Sequence, residues 1–140
     1  MEALALERTL TELDHVRLLN LARRDRRSDG SATPRLALEQ VLDACAIVPS
    51  RQIQPDVVTM YSQIVLQDRA TGLRSKLTLC YPADAEPSAG FVSVLSPVGA
   101  SLLGQTVGGV ARWSTPAGDE RAAEILAILF QPEASGDYAM

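Results

Sequence analysis

The spacing of apolar residues changes once along this chain, and that change limits the possible folds more than any other feature. Before Pro49 they recur at three- and four-residue intervals; after Pro55 they recur at every second position. A period near 3.6 places one stripe on a helix, and a period of two places one face on a strand. The chain is therefore expected to be α+β, with its helices and strands segregated rather than alternating. In the first part Leu13, Val16, Leu19 and Leu21 with Ala22 line one side of a helix from Glu12 to about Asp25, capped by Thr11. Ser28-Asp29-Gly30-Ser31-Ala32-Thr33 is a cluster of turn formers. Thr33-Pro34 then opens a second helix by the cap-plus-proline rule, with Leu38, Val41, Leu42 and Cys45 at i, i+3, i+4 and i+7. Two such stripes joined by a short polar loop bury each other as an antiparallel hairpin. Its base, Leu10, Leu13, Val41 and Ala44, is expected to lean on the rest of the protein.

Beyond Pro55 the elements are extended. Val58–Gln67 is expected as a strand, Ala70-Thr71-Gly72 as a turn, and Arg74–Tyr81 as the antiparallel partner. A loop over 82–90 leads to a third strand, Phe91–Leu95, and Gly108-Gly109 turns into Val110–Ser114. Ala122–Phe130, almost wholly apolar, is expected to be buried on both faces. The organisation is thus a helical hairpin over residues 1–50 and a twisted antiparallel sheet with one short helix over 51–140.

That short helix is written into Val94-Leu95-Ser96-Pro97-Val98-Gly99-Ala100-Ser101-Leu102-Leu103-Gly104-Gln105-Thr106-Val107-Gly108. The Ser96 hydroxyl can accept from an orphan backbone N–H, Pro97 suits the first helical position, and Gly104 can take the left-handed conformation that ends the helix. Val98, Leu102 and Leu103 would turn one apolar stripe onto the sheet.

Composition excludes several classes of function. With 46% apolar but only 4% aromatic residues, the core must be aliphatic. Runs such as Ile125–Phe130 fall far short of the ~18 residues that span a bilayer. The chain opens Met1-Glu2-Ala3-Leu4-Ala5-Leu6-Glu7, acidic where a secretory signal would be basic, so a soluble cytoplasmic protein is expected. Cys45 and Cys80 lack metal-ligand spacing and are expected as reduced, buried thiols. His15 is the single histidine, which leaves no histidine cluster for a metal and no Cys–His dyad, and it is expected as an ordinary, partly exposed side chain. No metal or cofactor is expected. A net charge of −4 argues against general nucleic-acid binding, although Arg23, Arg24, Arg26 and Arg27 crowd one short segment.

The Ser96–Gly108 block resembles the centre of the C-terminal domain of the Gre transcript-cleavage factors. Three further blocks carry the likeness: Leu38-Glu39-Gln40-Val41-Leu42-Asp43-Ala44-Cys45, Ile53-Gln54-Pro55-Asp56-Val57-Val58-Thr59-Met60-Tyr61-Ser62, and Ala123–Phe130 with its tail Gln131-Pro132-Glu133-Ala134-Ser135-Gly136-Asp137-Tyr138. The resemblance implies an FKBP-like fold for the second part and bacterial RNA polymerase as partner, gripped at the rim of its secondary channel. It implies that Ser96, Pro97, Val98 and Gly99 lie at the docking surface. In the Gre factors a long N-terminal coiled coil enters the channel, and an acidic tip of Asp-x-x-Glu type helps hold a catalytic magnesium ion; shorter relatives carry a reduced coiled coil.

Such cleavage chemistry needs two carboxylates on one projecting point to ligate a hard cation. The corresponding tip here reads Ala22-Arg23-Arg24-Asp25-Arg26-Arg27-Ser28-Asp29-Gly30. The Asp-x-x-Glu pattern is absent. Asp25 and Asp29 share a face only if the helix persists to Gly30, and four guanidiniums would compete for them. A helix of about 14 residues also spans only about 21 Å. The arginines complement the C-terminal dipole of a solvated helix end; the competing reading is contact with acidic groups, or with nucleic-acid or nucleotide phosphates, inside the transcription complex. The expectation is a monomeric, non-enzymatic regulator that binds RNA polymerase. The alternatives are a true transcript-cleavage factor and an FKBP-like prolyl isomerase, the latter short of aromatic residues for a pocket, since Trp113 is expected to serve packing.

Overall fold

The structure is a computed structural model that describes residues 8–28, 33–115 and 117–136, with side chains described except at 24–28, 33–37 and 87. Strand β1 (Thr9–Thr11) runs into helix α1 (Glu12–Ser28); α2 (Thr33–Ala44) is followed by β2 (Ala46–Val48), and β1 and β2 pair in parallel through Leu10 and Ile47. A five-stranded sheet follows: β3 (Gln63–Asp68), β4 (Arg74–Cys80), β5 (Phe91–Ser93), β6 (Val110–Ser114) and β7 (Glu120–Phe130), in the order β5-β4-β3-β7-β6. Helix α3 (Pro97–Leu102) packs on β6 and β5. The α+β architecture matches the change of period.

One aliphatic core joins the two halves. Leu18 and Ala22 of α1 and Leu38 and Leu42 of α2 belong to the same buried cluster as Ile64, Leu66 and Leu79 of the sheet and Leu102 and Leu103 of α3. Each such leucine or isoleucine contributes roughly 1.5–3 kcal/mol by leaving water. The base expected for the helix pair holds only partly: Leu10 and Val41 are buried, whereas Ala44 is exposed.

Several expectations need correction. Helix α1 runs to Ser28 rather than Asp25; its fully buried positions, with the cap Thr11, are Asp14, Leu18 and Ala22, Leu19 and Leu21 pack half-buried against the core as expected, and Val16 is left 56% exposed. The stripe is rotated because the Thr11 cap and the buried side of the helix coincide. Strand β3 starts at Gln63, not Val58, since residues 59–62 form a tight turn tied by their own hydroxyls. The sheet is not wholly antiparallel. Strand β5 lies parallel to β4, with Thr78 opposite Phe91, because residues 81–90 carry the chain back along β4 before it enters β5. Strand β7 is not buried on both faces along its length: Ala123 and Ile125 are buried, but its end emerges, with Leu129 53% and Phe130 39% exposed. Register shifts against β3 at two places turn the residues of β7 away from strict alternation. It lies inside the sheet, between β3 and β6.

The short helix forms as its sequence dictates. Ser96 Oγ accepts from Gly99 N at 3.0 Å, Pro97 is the first helical residue, and Gly104 sits at φ +79°. Gly99 is required for a different reason. A Cβ there would lie 2.1 Å from the carbonyl oxygen of Ser93 and 2.9 Å from Val94 Cα, so only a hydrogen lets α3 approach the end of β5. Gly99→Ala should therefore cost about 3 kcal/mol or more in urea unfolding, because backbone atoms must move. Gly72→Ala, in the β3–β4 turn at φ +76° with open space around it, should cost only about 1 kcal/mol.

Candidate functional site

The four residues expected at a docking surface do not share one environment. Ser96 is half-buried and fixed twice, donating its hydroxyl to Ser93 O at 2.7 Å while accepting from Gly99 N. Pro97 is exposed, Val98 is half-buried and Gly99 is buried. Gly99 thus sets how deeply the helix sits, whereas Pro97 and Val98 are the surfaces another molecule can touch. Ser96 and Val98 also line a groove of about 480 Å³ over the sheet face, with Leu66, Leu77, Val92, Trp113 and Ala123 among its apolar walls. That volume falls within the ~300–1,000 Å³ of small-ligand pockets. Trp113 is half-buried on β6 and packs against the core, as its place in the strand suggested.

Asp68 and Arg121 also line the groove and pair with one another. The Arg121 guanidinium, with the amides of Thr71 and Ala70, holds the Asp68 carboxyl down at about 2. The pair is open to solvent and its attraction is screened. Its contribution is to place one charge of each sign beside an apolar surface.

The other end of α3 is gripped by the N-terminal segment. Arg8 Nη1 donates to Ala100 O at 2.6 Å and Leu103 O at 3.2 Å, satisfying carbonyls that a helix end leaves orphaned. Thr9 N donates to Gly104 O at 3.1 Å, and Gly104 N donates to Val58 O at 2.9 Å. Burial pulls the Arg8 guanidinium below its ordinary value. The segment that leads into α1 is therefore fastened to the helix whose first turn borders the groove.

A buried polar seam fastens α1 to the sheet. Asp14 is 2% exposed, and its Oδ2 accepts from Met60 N at 3.2 Å. Its own N–H donates to the Thr11 cap at 3.0 Å. The same turn is held from another direction, because Thr59 Oγ1 donates to Glu133 Oε1 at 2.8 Å. With that proton committed, the Ser62 hydroxyl must donate to Thr59 Oγ1, 3.0 Å away, while it accepts from Thr59 N at 2.9 Å. Tyr61 sits at φ +67°, a conformation few side-chain-bearing residues adopt. Its hydroxyl donates to Asp84 Oδ2 at 2.6 Å and its ring meets that of Tyr81 at 5.8 Å. Burial, reinforced by the nearby Glu133 carboxylate, pushes Asp14 up to about 7, against the opposing pull of Met60 N–H, Arg17 and Thr11. The Tyr81 hydroxyl is pushed up to about 12, first by burial and then by Asp14.

At the expected tip only Arg23 has a described side chain, and it is exposed. The side chains of Arg24, Asp25, Arg26 and Arg27 lie outside the described residues, as does Asp29 altogether. The α1 backbone carries Asp25 within the helix. His15 is half-buried, and its Nε2 lies 3.3 Å from Leu42 O, bridging the two helices. Cys45 and Cys80 are free thiols, Cys80 buried and Cys45 half-buried, and burial raises both. Among the described residues no group of three or more His, Cys, Asp or Glu could hold a metal ion, and no helix is long and apolar enough to cross a membrane. Asp14, Glu133 and Arg8 escaped sequence reasoning. The available signal was the spacing Thr11, Asp14, Leu18, Ala22, a helical stripe that an apolar-only pattern passes over.

Residues 53–130 match the family described as transcription elongation factor, GreA/GreB, C-terminal. The regulator of nucleoside diphosphate kinase of Escherichia coli K12 is 38% identical over 104 residues, 74% of this chain and 76% of that protein. The transcription elongation factor GreA of Flavobacterium johnsoniae is 31% identical over 81 residues, 58% of this chain and 51% of that protein. A GreA/GreB transcription elongation factor structure from Nitrosomonas europaea superposes with a TM-score of 0.72 at 31% identity, covering 88% of this chain and 99% of that one.

The raised Asp14 gives stability a definite pH dependence. An acid with a folded-state pKa above its unfolded value binds its proton more tightly when folded. Its contribution is complete below the unfolded value near 4 and is lost as pH rises toward about 7. Urea unfolding should show the wild type losing on the order of 3 kcal/mol between about pH 4 and pH 8 relative to Asp14→Asn, which keeps an acceptor for Met60 N–H.

Proposed function

This chain belongs to the GreA/GreB family of transcription elongation factors, and from that premise we propose that it is a non-enzymatic regulator docking on bacterial RNA polymerase at the rim of the secondary channel. The observation that carries this reading is the capped first turn of α3. Ser96 and Gly99 hold it rigidly against β5, so that exposed Pro97 and half-buried Val98 stand beside the Trp113 groove. A pre-formed apolar surface bordered by the Asp68–Arg121 pair suits a protein partner, since it needs little ordering on binding. On this reading residues 51–140 are an FKBP-like docking domain and residues 1–50 a short coiled-coil hairpin. The site of action is the cytoplasm, and the protein works as a monomer that meets nucleic acid only inside the transcription complex.

The same reading withholds cleavage stimulation. Helix α1, at 17 residues, spans about 25 Å. Its tip sequence carries four arginines around Asp25 and lacks the Asp-x-x-Glu pattern. Such a hairpin would stand at the channel mouth and compete with longer factors for the rim. Prolyl isomerisation ranks lower, because among the described residues Trp113 is the one aromatic ring lining the groove.

Pull-down of bacterial RNA polymerase tests the proposal. Wild-type protein should bind at micromolar concentration or better. Pro97→Glu keeps a favourable residue at the helix start but puts a charge on the docking surface, and should weaken binding about tenfold or more with an unchanged melting temperature. Absence of binding at micromolar concentration overturns the assignment. In a backtracked-complex assay no cleavage should be stimulated, and stimulation abolished by Asp25→Ala with Asp29→Ala would reverse that part.

A further inference from the structure

We propose that Tyr61 is a positioning residue for the docking groove: its hydroxyl holds Asp84 and so fixes the loop that carries Ala85 into one wall of that groove. The inference rests on the docking reading above and says how that surface is kept in shape. Tyr61 sits at φ +67°, where a bulky side chain is strained and glycine or asparagine is at ease. The turn does not need that side chain to close. Thr59 and Ser62 tie it through their hydroxyls, and the Tyr61 backbone N–H donates to Leu79 O at 2.7 Å. The side chain makes its contacts elsewhere. Its ring lies 5.8 Å from that of Tyr81, and its hydroxyl donates to Asp84 Oδ2 at 2.6 Å, across 23 positions of sequence. Burial, then the Asp84 carboxylate, pushes the Tyr61 hydroxyl up, so it remains a donor.

The backbone bonds of the held loop fold it on itself. Asp84 N donates to Tyr81 O at 2.9 Å and Ala85 N to Pro82 O at 3.2 Å, while Glu86 and Phe91 exchange bonds of 2.9 and 3.1 Å at its far end. Ala85 lines the groove together with Val92 and Ser93 of β5. Strand β5 is three residues long and forms one edge of the sheet, so this wall is lightly supported. Trp113, on β6 at the opposite edge, closes the other side. Freed from Tyr61, residues 82–85 can draw away from the groove, and the surface beside Pro97 and Val98 loses its shape. A strained residue whose side chain acts at the border of a binding surface is the arrangement expected where backbone strain serves function.

The experiment uses the full chain and two readouts. Titrated pull-down measures binding to bacterial RNA polymerase, and acrylamide quenching of Trp113, the single tryptophan, reports how closed the groove is without any partner. Tyr61→Phe keeps the ring and removes the bond. It should weaken polymerase binding about fivefold and raise the quenching constant about twofold, with the melting temperature little changed because the bond is exposed. Asp84→Ala should do the same, and the double variant should be no worse than either single one. Asp84→Asn, which keeps an acceptor, should recover most of what Asp84→Ala loses. Unchanged binding in Tyr61→Phe, or losses that add in the double variant, overturns the positioning role. A wild type that fails to bind polymerase sinks the docking reading instead; unchanged quenching then overturns the hold on the wall, and raised quenching sustains it.

Discussion

Helix α3 is six residues long, too short to persist by its own hydrogen bonds, and the arrangement of the whole molecule depends on how its two ends are held. At its start Ser96 links the first turn to Ser93, and at its end Arg8 closes onto the carbonyls of Ala100 and Leu103. Between them Gly99 lets the helix backbone descend onto the end of β5. The sheet, the groove and the N-terminal segment therefore meet at one short element, and none of them can shift without disturbing it.

That arrangement explains why the two periods of the sequence do not produce two separate cores. The inward faces of the helix pair are modest, and Leu18, Ala22, Leu38 and Leu42 complete a cluster that the sheet and α3 begin. Asp14 breaks the pattern, since a carboxyl group occupies a position on the buried stripe where an aliphatic residue would be cheaper. It is accommodated by the Met60 amide and the Thr11 cap. A polar seam of this kind costs stability compared with an apolar one, and it ties the first turn of the helix to the Met60 amide at one point.

Much of the fold was legible because local chemistry and tertiary context agree. Ser96, Pro97 and Gly104 announce α3 at both ends, and each takes the conformation its chemistry prefers. Asp68, which accepts from the amides of Ala70 and Thr71, and Gly72 likewise build the turn between β3 and β4 where Ala70-Thr71-Gly72 placed it. Each misreading has its own physical cause. Val16 was assigned to the core and Asp14 was not, because periodicity was counted in apolar residues alone. Val58–Ser62 resembles a strand by composition, yet two hydroxyls and a left-handed Tyr61 convert it to a turn. The parallel placement of β5 is a property of the path through residues 81–90, and periodicity carries no strand direction.

By itself the sequence determined the fold class, the capped short helix, the family likeness and the lack of an Asp-x-x-Glu tip, since each is carried by neighbouring residues whose chemistry acts over a few positions. Only the tertiary structure decided that Arg8 would cap a helix some 90 residues away, with separations of 92 and 95 positions between the bonded partners. It alone also decided that Asp14 and Glu133 would face one turn, and that Trp113 would line a groove beside Ser96. These contacts join elements far apart in the chain. Their energies come from burial and hydrogen-bond geometry, which exist only once the layers have packed.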